Sequence, residues 1–190
     1  AKVCDLVLAL LKHPNAEVRG QALTLVEGHE APRIVEVVRA SLADRDPAVR
    51  LQGVEVLKHL RSPEAEPVFL AALDDTDSNV RMLAFASALE VSDSFRGKTL
   101  DAAATSRHAD VAGSALTFLE ATLTKQHLPQ FFTALDHPAE SVRTIAFERL
   151  FLTVDKKFSS AAEALAWWKA NQHRFDEDLV MIQLPEEPEP

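Results

Sequence analysis

The sequence predicts an all-α chain whose helical hairpins stack into a solenoid. Val18, Val49, Val80, Val111 and Val142 recur every 31 residues, and one fixed period of that length marks a repeat architecture. Arginine follows four of these five valines, as Arg19, Arg50, Arg81 and Arg143. The apolar residues around each valine keep helical spacing rather than the alternation of a strand.

The second helix of each repeat follows from the offsets. Four residues beyond the valine stand Ala22, Gly53, Ala84, Ala115 and Ala146, small in every copy. Five beyond stand Leu23, Val54, Phe85, Leu116 and Phe147, and eight beyond Val26, Leu57, Ala88, Leu119 and Leu150. At about 100° per residue these positions span an arc of roughly 140°, the apolar face of one amphipathic helix. The small residue within it admits a close neighbour. The first helix is read upstream, where Val7, Val38, Phe69, Leu100 and Phe131 stand four residues ahead of Leu11, Leu42, Leu73, Ala104 and Leu135. Between the helices lie His13-Pro14-Asn15, Asp44-Arg45-Asp46-Pro47, Asp74 to Ser78 and Asp136-His137-Pro138. Asp, Asn and Ser accept from the free amides of a helix start, and Pro is tolerated in the first turn. Neither helix can cover its apolar face alone, so the hairpins must stack.

The arginine falls inside the apolar arc, where an unpaired charge costs several kcal/mol. Acids in the turn just before it are the expected counter-charges: Asp44 and Asp46 for Arg50, and Asp74, Asp75 and Asp77 for Arg81. In the fourth copy the arginine becomes Ala112, and its turn, Ser106-Arg107-His108-Ala109, holds no acid. Arg19 and Arg143 follow His13 and His137, so their partners are left to Asp136, a neighbouring repeat or helix-end carbonyls. All four arginines, with Asp46 and Asp77, are read as structural ties between turns and helices.

The segments Asp46 to Arg50, Asp77 to Arg81 and Pro138 to Arg143, each followed by a small and then a large apolar residue, resemble HEAT repeats. The short period is similar to the subclass named after phycobilisome lyases. The resemblance covers residues 1–152, as repeats of about 1–30, 31–61, 62–92, 93–123 and 124–152. It implies a right-handed α-solenoid with the Val-Arg helices on the concave side, and it leaves function open among scaffolds, adaptors, transport factors and a few enzymes.

Residues 153–184 are read as a C-terminal cap. Ser160 to Glu163 has the form of a capping box. Ala161, Ala164, Leu165 and Trp168 share a helical stripe, so Trp168 is expected to face inward as part of a lid, with Trp167 beside it. Leu179 to Ile182 is expected to pack down as an extended segment, and residues 185–190 form an acidic disordered tail. The chain begins at Ala1 with no comparable cap ahead of Val3, and is read as part of a larger protein.

Composition narrows the function. A formal net charge of −9 disfavours a nucleic-acid or anionic-membrane surface, since phosphate binding draws on Lys and Arg. One cysteine, Cys4, in an apolar run, excludes an internal disulfide framework and suits a reducing, cytoplasmic setting. No metal, cofactor or catalytic set is expected. HEAT-like deoxyhypusine hydroxylases repeat a His-Glu dipeptide across several helices, whereas this chain has one, His29-Glu30. HEAT-like DNA glycosylases need a basic concave face, which the glutamates here oppose.

Those glutamates supply the functional expectation. Glu27, Glu55, Glu90, Glu120 and Glu148, with Gln52, give the concave side an acidic polar lining suited to a basic or amphipathic segment of a protein partner. The chain is thus expected to be a non-enzymatic interaction scaffold or adaptor. The alternative is a phycobilin-lyase-like subunit holding a chromophore or its acceptor protein. A second candidate surface lies in the fourth repeat, whose first helix is read as short, from Gly97 to Thr105. There Arg96, Lys98, Arg107 and His108 form a basic cluster suited to an anion or acidic peptide.

Overall fold

The computed structural model describes residues 2–182 apart from Gly28, Glu30 and Arg61. Glu30 of the His-Glu dipeptide and the acidic tail at 185–190 thus lie outside the described residues. The described chain is all-α, with eleven α-helices: α1 (Lys2–Leu10), α2 (Ala16–Leu23), α3 (Ala31–Ser41), α4 (Pro47–Lys58), α5 (Glu66–Ala72), α6 (Ser78–Ala88), α7 (Asp93–Ala104), α8 (Ala109–Glu120), α9 (Leu128–Ala134), α10 (Glu140–Val154) and α11 (Ala161–Asn171). They fall into two compact units, residues 1–103 and 104–190. The division runs between the two helices of the fourth repeat, a boundary that the even 31-residue period does not mark.

In the first unit α1, α3 and α5 form one layer and α2, α4 and α6 a second, with α3 packed on α4 and α5 on α6. The second layer is built by contact between successive repeats, α2 on α4 and α4 on α6. Val49, Val54 and Leu57 of α4 are buried there with Val80, Ala84 and Phe85 of α6. The starts of these helices are chemical. The side chains of Asn15, Asp46 and Asp77 accept from the amides of Glu17, Ala48 and Asn79 at 2.8–2.9 Å, satisfying free donors of the first turn. Pro47 follows at the first helical position of α4, where no amide is missed.

Gly53 shows why the fourth place after the valine stays small. A β-carbon there would drive into the Ser41 hydroxyl, which is buried and donates to the Val38 carbonyl at 2.8 Å. α3 and α4 meet at this point. The first helix of the fourth repeat is longer than its sequence suggests. α7 begins at Asp93 rather than Gly97, because the Ser92 hydroxyl accepts from the Phe95 amide and Phe95 is buried against Phe69. α8 runs unbroken through Ala112 and Gly113.

In the second unit α8 packs on α10, α10 on α9, and α11 on α9. The last helix reverses direction. Its first amide, on Ala161, donates to Asp136 just beyond the carboxyl end of α9. The segment after it returns to the start of α9, where Lys125 donates to the carbonyls of Phe175 and Glu177, each at 2.9 Å. α11 is therefore antiparallel to α9, and it closes that layer instead of continuing the repeat. Trp168 is buried against Phe132 and Phe175 at ring-centroid distances of 5.9 and 5.6 Å, and Trp167 packs on Phe158. Ser160 caps α11 by accepting from the Glu163 amide at 3.2 Å. The return bond differs from a capping box by one residue. The Glu163 carboxylate accepts from the hydroxyl and amide of Ser159, which hold it below its ordinary range. Leu179 to Ile182 turns back in a single antiparallel bridge, Phe175 to Met181, with Leu179 left-handed at φ 62°. Val180, Met181 and Ile182 remain exposed rather than packed down.

Two tests follow from this packing. Gly53→Ala should destabilise the chain by about 1–3 kcal/mol through overpacking. Gly20→Ala, where nothing lies within 4 Å of the new methyl, should stabilise it by about 0.5–1 kcal/mol; urea denaturation of both variants reads the opposite signs. Trp168→Ala should cost about 3–5 kcal/mol in the same assay, and a loss under 1 kcal/mol would mean the cap carries little of the fold.

Candidate functional site

The repeat turns use one side-chain position in all five copies. His13, Asp44, Asp75, Ser106 and His137 each accept from the amide two residues on, at 2.8–3.2 Å. Their types differ, but each offers an acceptor at the same place, which lets the turn close. The carbonyl of that residue is used as well. Arg19, Arg50, Arg81 and Arg143 each donate from Nη1 to the carbonyl six residues back, at 2.7–2.9 Å.

The other edge of the guanidinium reaches forward. Arg19 donates from Nε and Nη2 to both carboxylate oxygens of Asp44, at 2.6 and 2.8 Å, and Arg50 grips Asp75 in the same way at 2.8 Å twice. Both pairs are buried, with side chains 5–9% exposed. The expectation that Arg50 pairs with acids of its own preceding turn is corrected here, while for Arg19 the partner comes from the neighbouring repeat, one of the sources left open for it. The carboxylate comes from the next repeat, 25 residues later, while the preceding turn contributes carbonyls. Asp46 and Asp77 act as helix caps, and Asp46 does not bond Arg50. The reason is geometric, because a cap must point at its own helix and cannot also meet the arginine one turn further along. Ala112 marks the missing tie, and its acceptor is taken over. His137, whose Nδ1 accepts from the Ala139 amide, donates from Nε2 to the Ser106 carbonyl at 3.1 Å.

The bidentate bond from Arg19 is the main influence holding the Asp44 carboxyl below its ordinary range, assisted by the Asp46 amide. At Asp75 burial is the largest influence and acts in the opposite direction. The Arg50 bond, the Asp77 amide and the charges of Arg50 and Arg81 together outweigh it, and this carboxyl also lies low. Both arginines are raised in turn, first by the same hydrogen bonds.

The acidic residues expected to bind a partner fall at two levels. Glu55 and Glu148 lie within α4 and α10, whereas Glu27 and Glu90 lie just beyond the ends of their helices and Glu120 is the last residue of α8. Glu27, Glu90 and Glu148 are exposed, and Gln52 and Glu55 are half-buried. Glu120 is not a free acid, because Arg149 donates to it at 3.0 Å. Of the basic residues, Arg96 and Lys98 lie in the first unit. Arg96 pairs with Asp93 at 2.8 Å and donates to the Leu89 carbonyl, and Lys98 pairs with Glu66 at 3.3 Å. Arg107 and His108 lie in the second unit, where His108 occupies the N-cap of α8 without a side-chain cap bond. Among the described residues no group of three His, Cys, Asp or Glu side chains is placed to hold a metal ion, and no helix is long and apolar enough to cross a membrane. Cys4 is buried in α1.

The low carboxyls fix a pH dependence. The unfolded chain binds protons at Asp44 and Asp75 near pH 4, before the folded chain does, so stability is lost as pH falls from there through the lowered folded values. Asp44→Asn/Asp75→Asn should be less stable than the parent at pH 7, and the difference should shrink on acidification. A difference that stays constant down to about pH 2 would contradict the pairing.

Comparison with family models matches residues 4–90 to HEAT repeats. Comparison with curated proteins finds no match. The matched stretch contains both complete Arg–Asp ties and ends before Ala112. HEAT repeats generally serve as protein-interaction scaffolds and are generally non-catalytic. A two-layer stack of α-hairpins, tied turn to turn in the residues that match the family model, supports one identification: residues 4–90 form HEAT repeats.

Proposed function

We propose that the chain is a non-enzymatic scaffold or adaptor that binds a basic, amphipathic segment of a partner protein through the acidic residues in and just beyond its second helices. The observation that carries this reading lies in the first unit. Glu27, Glu55 and Glu90 are solvent-accessible carboxylates on successive repeats, and none forms an ion pair among the described residues. Acids left without internal partners, in a chain that elsewhere pairs its buried charges, are suited to lysines and arginines from outside. Gln52 adds a polar group one turn from Glu55 on α4. In the second unit Glu148 is the corresponding exposed acid, while Glu120 is already neutralised by Arg149.

Electrostatic attraction of this kind is steep in salt and sensitive to charge reversal. A lysine-rich amphipathic peptide titrated against the chain should bind about tenfold or more weakly after Glu27→Lys/Glu55→Lys/Glu90→Lys. The same loss should appear in the parent as ionic strength rises. Unchanged affinity in the triple variant, with its helicity intact, would remove the reading.

A further inference from the structure

α10 carries the solenoid's tie only in part. Arg143 keeps the backward half, donating from Nη1 to the carbonyls of His137 and Pro138 at 2.7 Å each. Its Nε and Nη2 meet no carboxylate among the described residues, whereas in Arg19 and Arg50 that same edge grips the aspartate of the next turn. No acid stands 25 residues beyond Arg143; that position is Trp168, buried in the antiparallel cap.

The apolar half of the contact is open as well. Arg143, Phe147 and Phe151 lie at i, i+4 and i+8 on one stripe of α10. Phe147 occupies the place five beyond the valine, where Leu23, Val54, Phe85 and Leu116 are 0–6% exposed, yet Phe147 is 38% and Phe151 39% exposed. The cause is the cap. In the first unit α2 is covered by α4 and α4 by α6, while in the second α11 packs on α9. Beside the stripe Leu152 is exposed, and Lys157 stands over the Phe151 ring at 5.5 Å.

We infer that this face of α10 receives an amphipathic helix from a partner protein, preceded by an aspartate that completes the Arg143 fork. The partner thereby stands in for the next repeat. Charge complementarity selects this occupant, since the open Nε and Nη2 edge of Arg143 is matched by a carboxylate, as Asp44 matches Arg19 and Asp75 matches Arg50. The inference rests on the reading of the chain as an interaction module but uses a different face from the acidic residues, so either can fail alone.

A direct probe is the chain's own segment 73–88, which carries Asp75 and α6 and makes this contact with Arg50 and α4. Supplied as a labelled synthetic peptide and followed by fluorescence anisotropy, it should bind the intact chain. Affinity should fall about tenfold or more with Arg143→Gln, and equally with an Asp75→Asn peptide, without the two losses adding. Phe147→Gln, at an exposed site, should weaken binding even if Arg143→Gln disturbs the turn. Equal affinity for the two peptides, or no binding with protein at about 1 mM, would overturn the inference. Self-association of the chain that Arg143→Gln abolishes would overturn the choice of a foreign helix in favour of a second copy.

Discussion

A guanidinium holds five N–H donors in one plane, and it can face two acceptors on different sides at once. Arg19 and Arg50 use that property to join three pieces of chain: their own helix, the turn that precedes it and the turn of the following repeat. Stacked α-hairpins have an apolar interface that resists separation but does little to fix the slide of one hairpin over another. A buried bidentate contact does fix it, because the fork and the carboxylate match in only one register. The cost of burying both charges is met by the carbonyl and amide bonds around them, so that no charge is left uncompensated.

The same constraint explains what the neighbouring residues must be. The residue ahead of each turn has to accept from the amide two positions on, and Asp, Ser or His with a bare Nδ1 all qualify. Of these, Asp alone offers two carboxylate oxygens for a bidentate grip on the arginine of the preceding repeat. Where the fourth copy has Ala112, His137 supplies a neutral turn-to-turn bond to the carbonyl that an arginine would otherwise take. The ladder thus has a charged form and a neutral form, built on one backbone. At α10 the charged form stands half complete, and together with the exposed phenylalanines this turns an internal packing rule into a candidate docking surface.

Much of the architecture was legible because it depends on local pattern. The 31-residue period, the small residue after each valine, the caps at Asn15, Asp46 and Asp77 and the inward turn of Trp168 are all short-range requirements of helices and their ends. The partners of the arginines were not legible. Acids lie both before and after each one in sequence, and spacing cannot say which will be brought near. Glu120 looked like a free acid for the same reason, since its neutralising Arg149 lies on another helix, 29 residues away. The start of α7 was misplaced because Phe95 earns its helical state by packing on Phe69, a contact outside any local window.

By itself, then, the sequence determined that this chain is a stack of α-hairpins with an arginine at one fixed place in four of its five repeats. Those features are encoded by periodicity and capping, which act within one or two turns of helix. The tertiary structure alone decided which acid each arginine holds, which glutamates remain available to a partner, and that the cap covers α9 and leaves the face of α10 exposed. Each of these is a choice among residues 25 or more apart in the chain, made when one repeat docks on the next.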